Sequence, residues 1–523
     1  MKKLLALVLL FILVGCEVND ERVTDEQKLT KWNLLGEEEV LEDIDGIDYL
    51  KFNGIDYASV SDLADLMSFN FLSNKWRMTK FTYEYKEDHL YMSQKSENVV
   101  MKFYYDGKVV YDTKQFYLSD FDGFKDKGVL DSFDDVNSID IDGSVEYPKY
   151  FSPVPDSQRP EKRFEYHKEI DINDFGLEAV YEDELYMPVH LISFLFNGFQ
   201  GLNYTVKDDV FHVTEYDDYG TVIPNNKIAL NDEMKEYYIG FFDFLYNEYY
   251  FSKDVYLDLY NELKDDTYTD MRAATTYDEF YKSFFAMLSV LKDHHTYKGY
   301  ISQSEPEIES AYWDMRDNHF SSGNLPVGYY SYSFDYEMLE DTLWIKLGTF
   351  SEGYSDEIQE LIDLNEPKAL IIDIRGNTGG YSHHCYNTVG TIANEFSTYE
   401  KDQEGYKSAY FIEMQDDHWY EGDVYVLTTE MSFSAASQFT QIVKDNELGT
   451  IVGEPHGGGH SSVIPVFLPD GSILHMSVAK VGMIGKLGNW IDFGTEPDVY
   501  VKDEFIDGKD QILETTLALI NEQ

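Results

Sequence analysis

Residues 424–438 of the chain have the sequence VYVLTTEMSFSAASQ, and this stretch indicates the class of fold. It begins with a short run of apolar and β-branched residues, as in a buried strand, and an apolar helical pattern follows from Phe439. Comparable strand patterns occur at 343–347, 369–374 and 450–453, with amphipathic segments between them. Strands that alternate with helices in this way predict an α/β core.

Ser434 lies where the strand pattern changes into the helix pattern. A hydroxyl at this point lies at the positive end of the helix, and the backbone N–H of Ala435 can hold a substrate oxyanion. The alternative is that Ser432, Ser434 and Ser437 only cap the helix, which is what this segment would indicate by itself.

A second segment, LIIDIRGNTGG at 370–380, predicts a buried strand that breaks into a glycine-rich loop. Glycines at the C-terminal end of a strand allow backbone N–H groups to point into a cleft, where open α/β sheets bind their ligands. The segment is not a phosphate-binding loop, because no Gly-Lys-Ser/Thr follows it. Asp373 and Arg375 are predicted to form a structural ion pair that orients the loop.

Five short segments occur in the order that one known family shares. They are LKDHHT at 291–296, DIRGNTGG at 373–380, SFSAAS at 432–437, TIVGEP at 450–455 and GTEPD at 494–498. Together they resemble the tricorn and C-terminal-processing serine peptidases, over roughly residues 232–523. The resemblance implies a crotonase-like ββα catalytic core preceded by a helical subdomain, and a serine peptidase that hydrolyses peptide or protein substrates without a cofactor.

The same resemblance implies roles for individual residues. Ser434 matches the nucleophile, and the backbone N–H groups of Ala435 and of Gly379 or Gly380 match the oxyanion hole. C-terminal-processing members activate their serine with a lysine, but this chain has Gly459 at the matching position. A Ser-Lys dyad is therefore not expected.

The tricorn-like branch of the family uses a histidine instead, and His295 matches it. Histidine suits proton transfer near neutral pH, since its ordinary pKa is near 6.5. Asp492 matches the family's late carboxylate, usually a glutamate, and would support His295. His294 is the competing candidate for the base. About forty residues separate Thr296 from the strand at 343–347, too few for the PDZ domain of processing members.

Four other histidines raise the question of a metal. His383, His384, His456 and His460 lack the spacing of a metalloprotease helix, so they are interpreted as surface or loop-packing residues and no metal is expected. Cys385 is interpreted as a buried thiol. The alternative function is a catalytically inactive lipoprotein of the same fold that binds peptide or cell-wall ligands.

The N-terminus predicts the compartment. Lys2 and Lys3 precede an apolar run at 4–14, and a small residue and Cys16 follow, which is typical of a bacterial lipoprotein signal peptide at 1–15. We therefore expect an extracytoplasmic protein that is anchored to the cell membrane by a lipid on Cys16. An ordinary secretory signal with an incidental cysteine is the alternative. The formal net charge of −57 argues against a nucleic-acid partner.

The remaining pattern divides the mature chain into a linker at 16–40, a mostly β region at 41–225, a helical subdomain at 226–300 and the catalytic core at 301–523. The mostly β region contains two weak repeats, 41–110 and 170–225. Matching apolar residues at their centres are Tyr57, Val60, Leu63 and Leu66 in the first and Tyr186, Val189, Ile192 and Leu195 in the second. Strand-like stretches follow at 83–92 and 204–213. The repeats weakly resemble small domains related to the copper amine oxidase N-terminal domain, and no metal follows from that.

Two helix starts are predicted in the helical subdomain. Asp232 is expected to cap a helix with Phe241, Phe244 and Leu245 on one face. Thr276 and Glu279 form a capping-box pattern ahead of an apolar stripe made by Phe280, Phe284, Leu288 and Leu291.

Overall fold

A computed structural model describes most of the chain. The described residues are 23–29, 32–34, 37–39, 46–52, 54–67, 81–94, 99–117, 135–141, 162–200, 202–207, 210–215, 230–250, 253–290, 295–298, 332–402, 407–414, 419–459, 461–470, 472–489, 491 and 494–522. The predicted signal peptide, Cys16, His294, His460 and Asp492 lie outside them.

The strands of the N-terminal half are β1 Val23–Leu29, β2 Trp32–Leu34, β3 Glu37–Glu39, β4 Ile47–Phe52, β5 Ile55–Ser59, β6 Phe81–Tyr85, β7 His89–Gln94, β8 Val99–Tyr104, β9 Lys108–Tyr117, β10 Asp135–Ile141, β11 Lys162–Asp171, β12 Val180–Tyr181, β13 Leu185–Pro188, β14 Leu202–Lys207 and β15 Val210–Glu215. Those of the C-terminal half are β16 Tyr297–Lys298, β17 Phe334–Leu339, β18 Thr342–Leu347, β19 Ala369–Asp373, β20 Glu395–Asp402, β21 Lys407–Met414, β22 Asp423–Thr428, β23 Thr450–Gly453, β24 Ser461–Phe467, β25 Ile473–Ile484, β26 Val499–Tyr500, β27 Phe505–Ile506 and β28 Lys509–Asp510.

The α-helices are α1 Val60–Met67, α2 Val189–Gln200, α3 Asp232–Phe244, α4 Lys253–Ala273, α5 Tyr277–Val290, α6 Ser355–Asn365, α7 Ser382–Gly390, α8 Ala435–Asp445 and α9 Gln511–Glu522. A 3-10 helix spans Ile172–Phe175 and a π-helix spans Leu245–Tyr249. Among the described residues, no helix combines the length and the apolar character that crossing a bilayer requires.

The chain divides into two compact units by its internal contacts. The first consists of Met1–Asp112, His167–Phe244 and Phe467–Ile473, and the second of Thr113–Tyr166, Leu245–Val466 and Leu474–Gln523.

The second unit contains the predicted α/β core. Its main sheet has the order β17-β18-β19-β22-β23-β26, in which all neighbours from β18 to β26 are parallel and β17 is antiparallel. Ile345, Ile372, Val426 and Ile451 pair in one row across four strands, and each is fully buried. The four predicted strands are confirmed to within one residue at each end. A second sheet has the order β10-β21-β20-β25-β16.

The first unit contains the repeated sequence pattern as two strand–helix pairs. Strand β5 leads directly into α1 and β13 leads directly into α2, and the two strands pair antiparallel with Ala58 opposite Met187. Tyr57, Val60 and Leu63 are buried, as are Val189 and Ile192. The strand-like stretches at 83–92 and 204–213 are not single strands. They are the hairpins β6–β7 and β14–β15. In the turn of the first hairpin, Lys86 N–H donates to the carbonyl of His89.

The two predicted helix starts have different outcomes. Asp232 is the first residue of α3, and the cap is Asn231, whose Oδ1 accepts from Met234 N–H at 2.8 Å, so the prediction of Asp232 as the cap is wrong. Asn and Asp are equally favourable N-cap residues, so the residue types alone do not distinguish Asn231 from Asp232. The position at which the backbone becomes helical decides which of the two is the cap. At α5, Thr276 Oγ1 accepts from Glu279 N–H at 3.2 Å, which confirms the cap. The glutamate, however, reaches back to Thr275.

The apolar faces of these two helices are as predicted. Phe241, Phe244 and Leu245 are fully buried. Phe280, Phe284 and Leu288 are buried on α5, and Leu291 lies outside the described residues.

Candidate active site

Ser434 occupies a strained turn between β22 and α8. Its backbone has φ 57° and ψ −119°, a conformation that non-glycine residues rarely adopt. The strain, about 1–3 kcal/mol, persists only where neighbours hold the turn in place. Here Ser434 N–H donates to the carbonyl of Gly458 at 2.9 Å and Phe433 N–H donates to the carbonyl of Asn377 at 3.0 Å. Such strand-to-helix turns expose the nucleophilic serine of α/β-hydrolases.

The three serines of this segment have different environments. Ser432 Oγ donates to the carbonyl of Ile374 at 2.9 Å, and Ser437 Oγ donates to the carbonyl of Ser432 at 2.9 Å. Both are fully buried, so their hydroxyls hold the turn together. Ser434 is partly exposed and its side chain makes no capping hydrogen bond. Ser434 thus occupies the N-cap position of α8, but its side chain does not cap the helix.

The glycine-rich loop packs directly against this turn. A Cβ atom on Gly379 would lie 2.6 Å from Ser434 Cβ and 3.1 Å from the backbone nitrogen of Ala435, so only glycine allows the approach. Gly379 also has φ 102° and Gly380 has φ 141°. The loop thus lies beside Ser434 at the carboxyl ends of the parallel strands β19 and β22.

The two glycines use their N–H groups differently. Gly379 N–H donates to Oδ1 of Asn377 at 2.9 Å and is therefore occupied. Gly380 is flanked by two hydrogen bonds to Phe350, one accepted by the carbonyl of Gly379 and one donated by Tyr381 N–H. In a parallel bridge the central residue directs its own N–H away from its partner strand. Gly380 N–H consequently points to the side opposite Phe350.

His295 is buried beside the turn. Its side chain is 7% exposed, and its ring makes an edge-to-face contact with the ring of Phe433 at 4.7 Å between centroids. The hydroxyl of Thr296 accepts from Ser477 N–H at 3.2 Å, and Tyr297 pairs with His475 in β25. The pairing of β16 with β25 therefore places His295 against Phe433, the residue that precedes Ser434.

The segment 456–459 lies on the other side of the turn. Gly457 N–H donates to the carbonyl of Ser432 at 2.8 Å. Gly459 has φ 80°, and a Cβ atom there would lie 2.5 Å from Cζ of Phe433. The aromatic ring therefore occupies the space that a side chain at position 459 would need.

Among the residues that the structure describes, which do not include His460, the other histidines form no cluster that suggests a metal site. His456 is buried, with one ring nitrogen 3.2 Å from Gly458 N–H and the other 3.1 Å from Thr495 N–H. Burial lowers its pKa to about 3, so its ring is neutral. Burial also lowers the pKa of His383 to about 4, and its ring lies 4.0 Å from that of His384.

Arg375 anchors the strand that leads into the glycine-rich loop. Its guanidinium is fully buried, donates to Asp373 at 2.6 Å and contacts Asp510 at 2.8 Å and Asp503 at 3.7 Å. The predicted Asp373–Arg375 ion pair is confirmed. The partners at 503 and 510 were not predicted, because they are more than 120 residues away and nothing local in the sequence points to them. The carbonyl of Arg375 also accepts from Thr429 Oγ1 at 2.7 Å.

Cys385 lies in the core below the loop. Its thiol is fully buried, and burial raises the pKa well above the ordinary value for cysteine. A protonated, inaccessible thiol is not a nucleophile, as the sequence predicted.

Residues 341–501 match the sequence model of peptidase family S41. This part of the chain is a peptidase family S41 domain. The domain includes Ser434, Ala435, Gly379 and Gly380, as well as the position of Asp492. His295 precedes it.

The S41 domain has a curated relative. Over 192 residues the chain is 28% identical to the carboxy-terminal processing protease CtpB of Bacillus subtilis (strain 168). The match covers 34% of this chain and spans 38% of the length of CtpB.

Solved structures that resemble the chain have low sequence identity. The tricorn protease has a TM-score of 0.38 at 12% identity, over 85% of this chain and 59% of that one. Mature CPAF in complex with lactacystin has a TM-score of 0.41 at 12% identity, over 55% of this chain and 97% of that one.

Proposed function

We propose that the chain is a serine peptidase that hydrolyses peptide bonds outside the cytoplasm, with Ser434 as its nucleophile and His295 as its general base. One observation carries the proposal. A partly exposed serine is held in a strained turn at the N-terminus of α8, against the glycine-rich loop and beside the turn's contact with the buried His295. Family membership of the S41 domain supports the same reaction.

The chemistry is acyl transfer to water. Ser434 Oγ attacks the carbonyl carbon of the scissile peptide bond while His295 takes the hydroxyl proton, and the C–N bond then breaks as His295 returns that proton to the leaving amine. Water, activated in the same way, hydrolyses the resulting ester and restores the serine. No cofactor takes part in this proposal.

The oxyanion hole is assigned to Gly380 and Ala435. Gly379, the other predicted donor, gives its N–H to Asn377 and is therefore a structural residue of the loop. Each oxyanion donor is worth about 3 kcal/mol of transition-state stabilisation in other serine hydrolases. The N-terminus of α8 adds a favourable field for negative charge at the same place.

Histidine, and not lysine, is the proposed base. The ring of Phe433 fills the space next to Gly459, where processing members of the family have their lysine. Asp492 is proposed to support the imidazole of His295. The crotonase-like character of the core is part of the same proposal, and the parallel sheet of β18, β19, β22 and β23 supports it.

The proposed place of action follows from the N-terminus. The basic start, the apolar run and Cys16 support export and a lipid anchor, with the peptidase facing peptide or protein substrates outside the membrane. Because the chain is strongly acidic, anionic lipid and nucleic acid should repel the folded part of the protein.

A peptide-library digest tests the proposal. Wild type is expected to cleave a subset of peptides, while Ser434→Ala and His295→Ala lose turnover by at least a thousandfold. Ser283→Ala is the matched control, because Ser283 lies on α5 and its hydroxyl donates to the carbonyl of Glu279 within the same helix. Cleavage that persists in Ser434→Ala would refute the nucleophile, and a wild type without any cleavage would favour the inactive binding protein.

A further inference from the structure

Phe433 lies between the proposed base and the glycine segment. On one side its ring contacts the ring of His295 edge-to-face at 4.7 Å. On the other side it meets the backbone at 457–459, where a Cβ on Gly459 would lie within 3.0 Å of Cζ, Cε2 and Cε1. The residue is only 6% exposed. The buried ring therefore lies against both His295 and the backbone of Gly459.

The backbone of Phe433 is also fixed. Its N–H donates to the carbonyl of Asn377 at 3.0 Å, and its carbonyl accepts from Ala436 N–H at 3.1 Å. Because Ser434 is the next residue, the ring cannot shift along the chain without moving the proposed nucleophile. A change on the Gly459 side must be transmitted through the ring to His295.

We propose that Phe433 is a positioning residue that holds the imidazole of His295 toward Ser434, and that it requires glycine at position 459. The inference rests on the proposed function, because it assigns how the general base of that reaction is kept in place. It also gives a physical reason why a lysine at position 459 cannot take over the role of His295 in this chain. A side chain at that position would overlap with the ring of Phe433.

The expected consequence is kinetic. A general base acts only within hydrogen-bond reach of the proton it takes, and a misplacement of about 1 Å can cost roughly a hundredfold in rate. Loss of one wall of its site gives the imidazole rotational freedom without removing any group that binds the peptide. The effect should therefore fall on kcat and leave KM nearly unchanged.

Phe433→Leu is the sharpest variant for the test. Leucine keeps an apolar side chain in the core but lacks Cε1, Cε2 and Cζ, which are the atoms nearest to Gly459. We expect kcat to fall at least tenfold and KM to change less than threefold. Phe433→Ala should lower kcat further. Thermal unfolding of each variant shows whether it is folded, and the leucine variant serves if alanine does not fold.

Gly459→Ala completes a double-mutant cycle. In the wild-type background the new methyl group must push the ring against His295, so kcat should fall at least tenfold. In the Phe433→Leu background the same change meets no ring, and it should cost less than threefold. The backbone strain of alanine at φ 80° is common to both backgrounds and cancels in the cycle.

The outcomes separate the two proposals. Non-additive losses of kcat at 433 and 459, with KM unchanged, support the positioning role. Additive losses, or a Phe433→Leu variant with wild-type kcat, overturn it. Both readings require that turnover depends on Ser434. If Ser434→Ala retains wild-type turnover, the proposed function fails first, and that result is distinct from a failure of Phe433 alone.

Discussion

Two strand-to-helix junctions of this protein are built in opposite ways. In the first unit β13 leads straight into α2, and Met187, Val189 and His190 are all buried there. In the second unit six residues separate β22 from α8, and the last of them is Ser434 in its strained conformation. The first junction packs a core, while the second keeps one hydroxyl partly exposed at a helix N-terminus.

The polar groups at the two junctions differ accordingly. His190 Nδ1 is buried and has no hydrogen-bond partner among the described residues, and burial lowers the pKa of this histidine to about 3. Around Ser434 the buried polar side chains are joined to neighbouring backbone, as Asn377, Thr429 and Ser432 show. Many hydrogen bonds around a junction can hold a residue in a strained backbone conformation. Apolar packing alone would allow that residue to relax.

Arg375→Met should have the largest effect on stability, because it removes the buried guanidinium that anchors the strand leading into the glycine-rich loop. Three buried aspartates would remain without their partner, and we expect the free energy of unfolding to fall by about 3–5 kcal/mol. Urea unfolding measures it. Lys368→Met is the control, since its ion pair with Asp341 is solvent-exposed and should leave the urea midpoint unchanged. Equal midpoints for the two variants would show that the buried network does not stabilise the junction.

Asn377→Ala should act on catalysis more than on binding. The side chain holds Gly379 N–H and donates to the carbonyl of Leu347 at 3.1 Å, so its loss frees the glycine-rich loop. We expect kcat to fall about ten- to a hundredfold with little change in KM. Asn365→Ala is the matched control, because its amide donates to the carbonyl of Leu361 within α6. A change in KM alone would contradict a role in aligning the oxyanion hole.

His190→Leu tests the packed junction through pH. The folded protein resists protonation of His190 down to about pH 3, while the unfolded chain takes up the proton near its ordinary pKa of 6.5. Stability from the neutral ring is therefore complete above pH 6.5 and is lost as the pH falls. Between pH 7.5 and 5, the wild type should lose about 2 kcal/mol of unfolding free energy relative to the variant. Parallel urea titrations of both proteins would reveal a pH-independent difference if the account of His190 is incorrect.

Thr276→Ala should have the smallest effect. It removes an ordinary cap at the start of α5, where the hydroxyl accepts from Glu279 N–H, and we expect a loss of about 1 kcal/mol. Thr269→Ala, at an exposed position near the C-terminal end of α4, is the comparison because its hydroxyl donates to the carbonyl of Asp265 within the helix. Thermal unfolding should distinguish the two, and an equal change would mean that the cap contributes nothing specific.

The sequence predicted the second junction better than the first unit. Parallel strands buried on both faces are continuous apolar runs with clear ends, so β18, β19, β22 and β23 could be located almost to the residue. In the first unit the turn between β6 and β7 is short and polar residues alternate on both sides of it, so the sequence indicated a strand-like stretch without the turn that divides it into a hairpin.

Details of the candidate site that depend on distant contacts were beyond the sequence. The pairing of Arg375 with Asp503 and Asp510 joins residues that only the tertiary fold brings together. The choice between Gly379 and Gly380 depends on one side-chain hydrogen bond from the loop itself. The contact of Phe433 with Gly459 depends on how two segments cross. Local patterns identify residue types, whereas these features depend on the tertiary structure.

Reaction with a fluorophosphonate, followed by peptide mass spectrometry, tests the central claim most directly. An activated serine should form one phosphonyl adduct, located on Ser434, and His295→Ala should slow its formation at least a hundredfold while Ser283→Ala labels at the wild-type rate. An adduct on another residue, or labelling of Ser434 at an unchanged rate without His295, would contradict the account.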